Sequence, residues 1–262
     1  MNQSLAIALQ AENLRNLLAT GAFQFVDERT PWFPYTSGQV GPYYVQSTTI
    51  EKDGRAYATA IESLVRLIRE QAGAFDAISG GETRDWDFSN PVAVALQKPH
   101  LKMYKDGRVL GAEITGRTFL HVADLNNEGS SVRDYWKPII EQAGGRMVGL
   151  VSFVDRLEDG FELLKSLGVR LWSVVPLDAR AWGIARASGH VSKTLYAELV
   201  ARQGNRDAWA ECALLEHPDY FRKFYREAQT RAKADKIMST YRRIRTDLER
   251  IVSPVLHGTS TP

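Results

Sequence analysis

Residues 118–136 read TFLHVADLNNEGSSVRDYW, and this stretch decides the fold. Its first half is an apolar run that predicts a buried strand, and its second half turns sharply before two hydroxyl residues at an expected helix start. Backbone amides at such a turn, together with the dipole of the following helix, favour a bound phosphate. Gly129 permits close approach of a ligand, and the hydroxyls of Ser130 and Ser131 can donate to its oxygens. The alternative is a plain strand–turn–helix connection in which Ser130 caps the helix.

The segments on either side of this stretch alternate between strand and helix patterns. Strands are predicted at 75–79, 100–104, 118–123, 147–154 and 169–175. Helices are predicted at 4–20, 55–71, from about 91 with Pro91 in the first turn, 130–143 and 160–167. Because this alternation implies parallel pairing through right-handed crossovers, we expect a doubly wound α/β sheet. Ligands of such sheets bind at the carboxyl ends of the strands.

The strand pattern stops at about residue 190. Helices are then predicted at 192–203, 206–215 and 218–251. We therefore expect an α/β domain over residues 1–188 and a C-terminal helical extension over 189–262, whose last residues, HGTSTP, form a frayed tail. The helix at 218–251 carries ten Lys or Arg against five acids beside an apolar stripe, which is typical of a solvated face over a packed one. A nucleic-acid surface is the less favoured alternative.

Composition excludes several classes of protein. A formal charge of +2 over 262 residues does not by itself indicate nucleic acid or an anionic membrane as a partner. The chain lacks a signal-peptide layout and a long apolar run, so we expect a cytoplasmic protein without a membrane span. Its one cysteine, Cys212, excludes an internal disulfide and is expected in the core. Five histidines form no metal-binding set, and His100 and His121, on predicted strands, are expected to be buried and hydrogen-bonded.

Several segments resemble one family. The motif VADLNNEGSS (122–131) resembles the phosphoribosyl-diphosphate (PRPP) motif of type I phosphoribosyltransferases. TSGQVGPYY (36–44) and the span 147–177 are similar to segments of one branch, the orotate phosphoribosyltransferases. The order of elements up to about residue 180 also fits that branch. The resemblance implies the fold already expected, a homodimer, and Mg²⁺ bridging the diphosphate of PRPP if the protein is catalytically active.

The resemblance also implies a role for each end of the pocket. Asp124 would hold the ribose, and the loop would hold the 5′-phosphate through Asn126, Asn127, Glu128, Gly129, Ser130 and Ser131. The diphosphate would be bound near Gly80, Gly81 and Arg84 and stabilised by Lys102 or Lys105. A planar, carboxylated base would meet Arg156, Tyr43 and Tyr44.

The chain departs from the family pattern mainly at the diphosphate end. Ala123 stands where the motif has its first acid, and Glu128 stands where it has a small hydroxyl residue. If the Glu128 carboxylate lay about 5 Å from a bound phosphate, the repulsion would weaken binding by about 3 kcal/mol per unit charge at an effective dielectric near 20. Three acids, Glu82, Asp85 and Asp87, surround Arg84. The sequence therefore leaves two functions open: transfer of phosphoribose from PRPP to a carboxylated, pyrimidine-like base, or binding of a nucleotide or PRPP without turnover, as a sensor or scaffold.

Overall fold

The computed structural model describes residues 3–256 of the chain. These residues divide into two compact units, the first formed by residues up to 22 and 46–190 and the second by 23–45 and the residues from 191 on. The segment 23–45 is therefore grouped with the C-terminal helices. The tail predicted at 257–262 lies outside the described residues.

The elements are numbered in chain order. The strands are β1 Phe23–Phe25, β2 Phe33–Pro34, β3 Val40–Gly41, β4 Tyr43–Val45, β5 Ala77–Gly81, β6 His100–Met103, β7 Val109–Gly111, β8 Thr118–Asn126, β9 Arg146–Asp155 and β10 Arg170–Pro176. The α-helices are α1 Gln3–Ala19, α2 Gly54–Gln71, α3 Asp85–Ala95, α4 Lys137–Gln142, α5 Gly160–Ser166, α6 Ala179–Ala187, α7 Lys193–Gly204, α8 Arg206–Glu216, α9 Pro218–Arg226, α10 Ala228–Thr240 and α11 Arg245–Leu256. Short 3₁₀ turns lie at Ser47–Lys52 and Arg242–Ile244, and a π-helical turn, Val132–Trp136, leads into α4.

The first unit is built on a six-stranded sheet in the order β10-β9-β8-β5-β6-β7. All neighbouring strands run parallel except β7, which returns antiparallel to β6. Inner strands of this kind are covered on both faces and are therefore apolar along their length. In β8 this holds for Phe119, Leu120 and Val122, which have no exposed surface. The predicted doubly wound α/β fold and its C-terminal helices are confirmed.

The start of α3 was predicted wrongly. The helix begins at Asp85, and Pro91 lies in its interior rather than in its first turn. A proline at this position has no N–H for the carbonyl of Asp87, four residues earlier, and would normally break the helix. The hydroxyl of Tyr57, on α2, donates to that carbonyl instead. A side chain from another helix thus compensates for the lost backbone bond, which the local sequence does not reveal.

The second unit contains two short antiparallel pairs, β1 with β4 and β2 with β3, and the helices after residue 191. Its core contains Trp32 together with Phe221 and Phe224 from α9, whose rings lie 6.2 and 5.2 Å from the indole. The predicted single helix 218–251 is wrong, because the chain leaves helical geometry at Glu227 and again at Tyr241. The predicted apolar stripe is nonetheless buried in this core.

Two further expectations from the sequence concern the cysteine and a membrane span. Cys212 is exposed, so its predicted place in the core is wrong; its thiol lies on the solvent face of α8 beside Glu216. Within residues 3–256, no helix combines the length and the apolar character that crossing a membrane requires.

Candidate functional site

The carboxyl ends of three parallel strands meet at one edge of the sheet. Gly81 ends β5, Asn126 ends β8 and Asp155 ends β9, and Asn126 lies directly beside Asp155 in the register of the two strands. The expected phosphate loop begins immediately after Asn126. The fold therefore places this loop at the edge where α/β proteins bind their ligands.

The loop 127–131 presents unsatisfied backbone donors. Among the described residues, the amides of Glu128, Gly129, Ser130 and Ser131 donate no hydrogen bond, as is usual for the first turn of a helix. Gly129 has a φ of +70°, and a Cβ there would approach Leu164 to 3.2 Å, so the turn requires glycine. Ser131 is exposed and makes no capping bond with its side chain. These donors at a helix start can bind an anion.

Asn126 fixes the base of the loop rather than facing it. Its amide donates a 3.0 Å hydrogen bond to Asp155, whose carboxyl also accepts from the amide of Leu157 at 3.0 Å. The same side chain packs so closely over Gly160 that a Cβ at Gly160 would lie 2.7 Å from the Asn126 amide nitrogen. Burial raises the pKa of Asp155. Asn126 thus joins β8 to β9 at the point where the loop leaves the sheet.

Glu128 and Asn127 complete the loop. Glu128 is half-buried, and its charge acts on Arg133, raising the pKa of that guanidinium after the larger effect of Asp134. The side-chain oxygen of Asn127 is buried and accepts no hydrogen bond from the described residues.

Asp124 is the buried acid of the site. Its side-chain Oδ2 accepts a 2.6 Å hydrogen bond from the hydroxyl of Ser47 and lies 4.0 Å from Nε of Arg84. Burial, and then the neighbouring charge of Asp85, raise the pKa of Asp124 to about 7. The carboxyl therefore changes its charge close to neutral pH and can either accept from a hydroxyl group or donate to one.

Asp85, at the start of α3, accepts hydrogen bonds from backbone amides near the ends of two strands. Its carboxylate accepts 3.1 Å hydrogen bonds from the amide of Gly81 and from the amide of Asp124. Nε2 of His121 lies 3.4 Å from the same carboxylate, and Nδ1 of His121 is 3.1 Å from the hydroxyl of Ser79. His121 is buried as expected, but only its Nδ1 is hydrogen-bonded, because Nε2 has no hydrogen-bond partner among the described residues. His100 is half-buried rather than buried, and its Nε2 is hydrogen-bonded with the hydroxyl of Ser89 at 2.9 Å.

Indole rings cover the two expected diphosphate glycines. Both Gly80 and Gly81 are buried. A Cβ on Gly81 would collide with Trp136, and a Cβ on Gly80 would lie 3.3 Å from Trp86 and still closer to Ser89. The Trp86 indole also donates a 2.9 Å bond to the carbonyl of Gly80. Because these glycines have no side chain, aromatic rings can pack directly against the strand.

The three cations expected to bind the diphosphate contact other groups of the protein. Arg84 donates to the side-chain oxygen of Gln46 at 3.0 Å. The ammonium of Lys102 lies 5.4 Å from the centre of the Trp86 ring, and that of Lys105 lies 5.8 Å from the centre of the Tyr135 ring. These are cation–π distances. Phosphate oxygens would have to compete with these contacts.

The residues expected to bind a base are divided between the two units. Arg156 is buried and lies 3.6 Å from Glu158, whose side chain is only 1% exposed. Tyr43 and Tyr44 belong to the second unit: Tyr43 is buried and its carbonyl accepts from the hydroxyl of Tyr35, while Tyr44 is partly exposed. The pairing of Glu158 with Arg156 was not predicted, because an acid that neutralises a buried arginine is recognised only from their contact.

The described residues do not build a magnesium site of their own. Between residues 3 and 256, no three His, Cys, Asp or Glu side chains are placed to hold a metal ion. Asp85 and Asp124 are acids at this edge of the sheet, and the carboxylate of Asp85 already accepts hydrogen bonds from two amides. Mg²⁺ prefers six oxygen ligands and often takes several of them from substrate phosphates. The ion expected from the resemblance would therefore have to arrive with a ligand.

Comparison with known proteins identifies the class. No family model matches the sequence. The chain is 31% identical to the orotate phosphoribosyltransferase of Sulfolobus acidocaldarius over 148 residues, which are 54% of this chain and 74% of the relative. The chain therefore belongs to the type I phosphoribosyltransferase family. Within that family it is similar to the orotate phosphoribosyltransferases in particular.

Solved structures support the same fold. The UMP synthase of Leishmania donovani superposes with a TM-score of 0.66 at 19% identity, over 74% of this chain and 42% of that one. The orotate phosphoribosyltransferase of Mycobacterium tuberculosis in complex with PRPP superposes with a TM-score of 0.50 at 23% identity, over 64% of this chain and 96% of that one. At these identities the likeness concerns the fold.

Proposed function

We propose that the chain binds a phosphoribosyl compound, PRPP or a nucleotide, at the carboxyl edge of its sheet. The observation that carries the proposal is the row of unsatisfied amides at Glu128–Ser131, next to the buried acid Asp124. The 5′-phosphate binds these amides, and a ribose hydroxyl binds Asp124. The PRPP complex of the Mycobacterium tuberculosis relative supports this class of ligand.

Thermal unfolding tests the proposal. Ribose 5-phosphate, uridine 5′-monophosphate and PRPP are each added at increasing concentration. A ligand at a hundred times its Kd stabilises the folded state by about 2.7 kcal/mol. For a protein of this size, that corresponds to a rise in Tm of about 5–10 °C. If none of the three ligands raises Tm, the proposal is wrong.

A matched pair of variants locates the phosphate. Ser131→Asp places a negative charge at the expected phosphate position, while an acid in the first turn of a helix does not harm folding. Ser192→Asp makes the same change at the start of α7, in the second unit, where Ser192 already caps the helix. We expect the first variant to lose the Tm shift and the second to keep it.

The reaction suggested by the relatives is the second candidate function. PRPP would react with a carboxylated, pyrimidine-like base to give a nucleotide and diphosphate. Lys102 or Lys105 would stabilise the diphosphate, Arg156 would orient the base, and Mg²⁺ bound with the substrate would neutralise part of the diphosphate charge. The similarity to enzymes named orotate phosphoribosyltransferase favours this candidate. The buried partner of Arg156, Glu158, weighs against it, because a base carboxylate would have to displace that contact.

Diphosphate release separates the two candidates. Protein is mixed with PRPP, orotate and Mg²⁺, and diphosphate is measured over time. Release that requires orotate supports the transfer reaction, whereas stabilisation by nucleotide without release supports a binding protein. The homodimer expected from the resemblance belongs to either proposal, and sedimentation equilibrium should give twice the monomer mass.

A further inference from the structure

We propose that Asp85 makes this site selective for phosphoribosyl ligands that carry a single phosphate, and that it excludes a diphosphate on the ribose. The preferred ligand class is then a nucleoside 5′-monophosphate or ribose 5-phosphate rather than PRPP. This inference rests on the proposed function, because it concerns the same pocket. It goes further by stating which of the two ligand classes is accepted.

The first reason is that two backbone donors at this edge of the sheet, in β5 and β8, already bind an anion of the chain itself. The amides of Gly81 and Asp124 both donate to the carboxylate of Asp85 at 3.1 Å. Each backbone amide has a single hydrogen to donate. A diphosphate oxygen can take these donors only by expelling Asp85. The carboxylate of Asp85 therefore takes the hydrogen-bond donors that a second phosphate group would need.

The second reason is space. The indole of Trp136 lies closer to Gly81 than a Cβ there would allow. The indole of Trp86 lies 3.3 Å from the position of a Cβ on Gly80, and Ser89 lies closer still. The hydrogen bond from Trp86 to the carbonyl of Gly80 holds one of these rings in place. A glycine-rich strand end normally lets a ligand approach the backbone. Here the close approach is made by aromatic side chains of the protein.

The third reason is charge. Asp85 has Glu82 and Asp87 beside it in sequence, with Arg84 as the neighbouring cation. Arg84 is directed to Gln46 and Asp124, and Lys102 lies over the Trp86 ring. A diphosphate would bring further negative charge close to the carboxylate of Asp85. At about 5 Å and an effective dielectric near 20, this weakens binding by about two orders of magnitude for each unit charge.

The phosphate loop carries one acid, Glu128, but no side chain within residues 3–256 occupies its backbone amides. The amides of Glu128–Ser131 follow the end of β8 and donate no hydrogen bond within the described residues. One end of the pocket thus accepts a phosphate while the other rejects one. Because Mg²⁺ would be held mainly by a diphosphate, we also expect binding of the accepted ligands to be independent of Mg²⁺.

Isothermal titration of the full chain tests the inference. Ribose 5-phosphate, uridine 5′-monophosphate and PRPP are titrated with and without Mg²⁺ into wild type, Asp85→Asn and Asp207→Asn. Asp207 is the matched control, since it also lies in the first turn of a helix, α8, but in the second unit. We expect wild type and Asp207→Asn to bind PRPP at least tenfold more weakly than ribose 5-phosphate. In Asp85→Asn this ratio should shrink at least tenfold, with little change for ribose 5-phosphate.

The possible outcomes are distinct. If wild type binds PRPP as tightly as ribose 5-phosphate, the inference is overturned while the proposed function stands. The same holds if Asp85→Asn leaves the ratio unchanged. If none of the three ligands binds wild type, the proposed function fails and the inference with it. Should Asp85→Asn not fold, the wild-type ratio with and without Mg²⁺ still decides the matter.

Discussion

The hydroxyl of Ser47 donates a 2.6 Å hydrogen bond to the carboxyl of Asp124, although the two residues are 77 positions apart in the chain. Asp124 is the acid that the PRPP-like motif retains, and Ser47 lies in the 3₁₀ turn before α2. The hydrogen bond lowers the pKa of Asp124, against the larger opposing effects of burial and of Asp85. The ionisation of the retained acid is therefore controlled by residues outside the motif.

Ser47→Ala should destabilise the folded state. The substitution leaves a buried carboxyl without its donor, and loss of a hydrogen bond to a charged group costs about 1.5–3 kcal/mol. We expect this loss in the free energy of unfolding at pH 8, measured by urea denaturation, and a smaller loss at pH 5, where Asp124 is protonated. The control, Ser166→Ala, removes an exposed hydroxyl that bonds only within its own helix and should change stability by less than about 0.5 kcal/mol.

The raised pKa of Asp124 predicts a pH dependence of stability. Between the usual 3.8 and about 7, the folded state keeps a proton that the unfolded state releases. The free energy of unfolding should therefore fall as pH rises through this window, by up to about 1.4 kcal/mol per pH unit, and level off above pH 7. Asp124→Asn lacks this contribution.

His100 opposes this effect and must be separated from it. Burial lowers the pKa of His100 from 6.5 to about 4, so its contribution to stability increases as pH rises between those values. The difference between wild type and Asp124→Asn, measured in the same buffers without ligand, isolates the carboxyl. A difference that does not vary between pH 4 and pH 8 would contradict the raised pKa.

A third prediction concerns the join between β8 and β9. Asn126→Asp would place a second buried carboxylate 3.0 Å from Asp155. Like charges at this distance cannot both ionise without a large cost, so we expect a loss of about 2–4 kcal/mol at pH 7 that shrinks as pH falls. Asn127→Asp, one residue later and half-buried, is the control. Equal losses of unfolding free energy in the two variants would show that the contact of Asn126 with Asp155 is not the cause.

The tryptophan covering of the strand end can be tested by two alanine substitutions at glycines. Gly81→Ala should destabilise the protein by about 1–3 kcal/mol, since its Cβ would collide with Trp136. Gly183→Ala, inside α6 with open space around it, should stabilise by about 0.5–1 kcal/mol. Combining Gly81→Ala with Trp136→Leu should cost less than the sum of the two single losses, because the shorter side chain relieves the collision. Losses that simply add would mean that Trp136 is not what Gly81 accommodates.

The fold was predictable because its central strands are buried on both faces and so produce long apolar runs between helices. The strand β7 was missed, since it is three residues long and exposed. The start of α3 was misplaced because Pro91 cannot donate to the Asp87 carbonyl. The hydroxyl that replaces this donor, that of Tyr57, comes from a different helix.

The site was only partly predictable. The turn at 127–131 and Asp124 are local in sequence, and their position at the carboxyl edge of the sheet could be predicted from their motif. The other contacts at this edge join distant segments: Ser47 with Asp124, Asp85 with the amides of two strands, and Trp136 with Gly81. Such contacts follow from the topology of the sheet, and residue type and spacing do not reveal them.

The most direct test of the account is a titration of ribose 5-phosphate followed by the amide NMR signals of residues 128–131. A phosphate bound in the turn accepts hydrogen bonds from these amides and should move their proton resonances downfield in a saturable way. Wild type is predicted to show this change, and Ser131→Asp to show it weakly or not at all. If these four signals stay in place while others shift, the phosphate lies elsewhere and the central claim is contradicted.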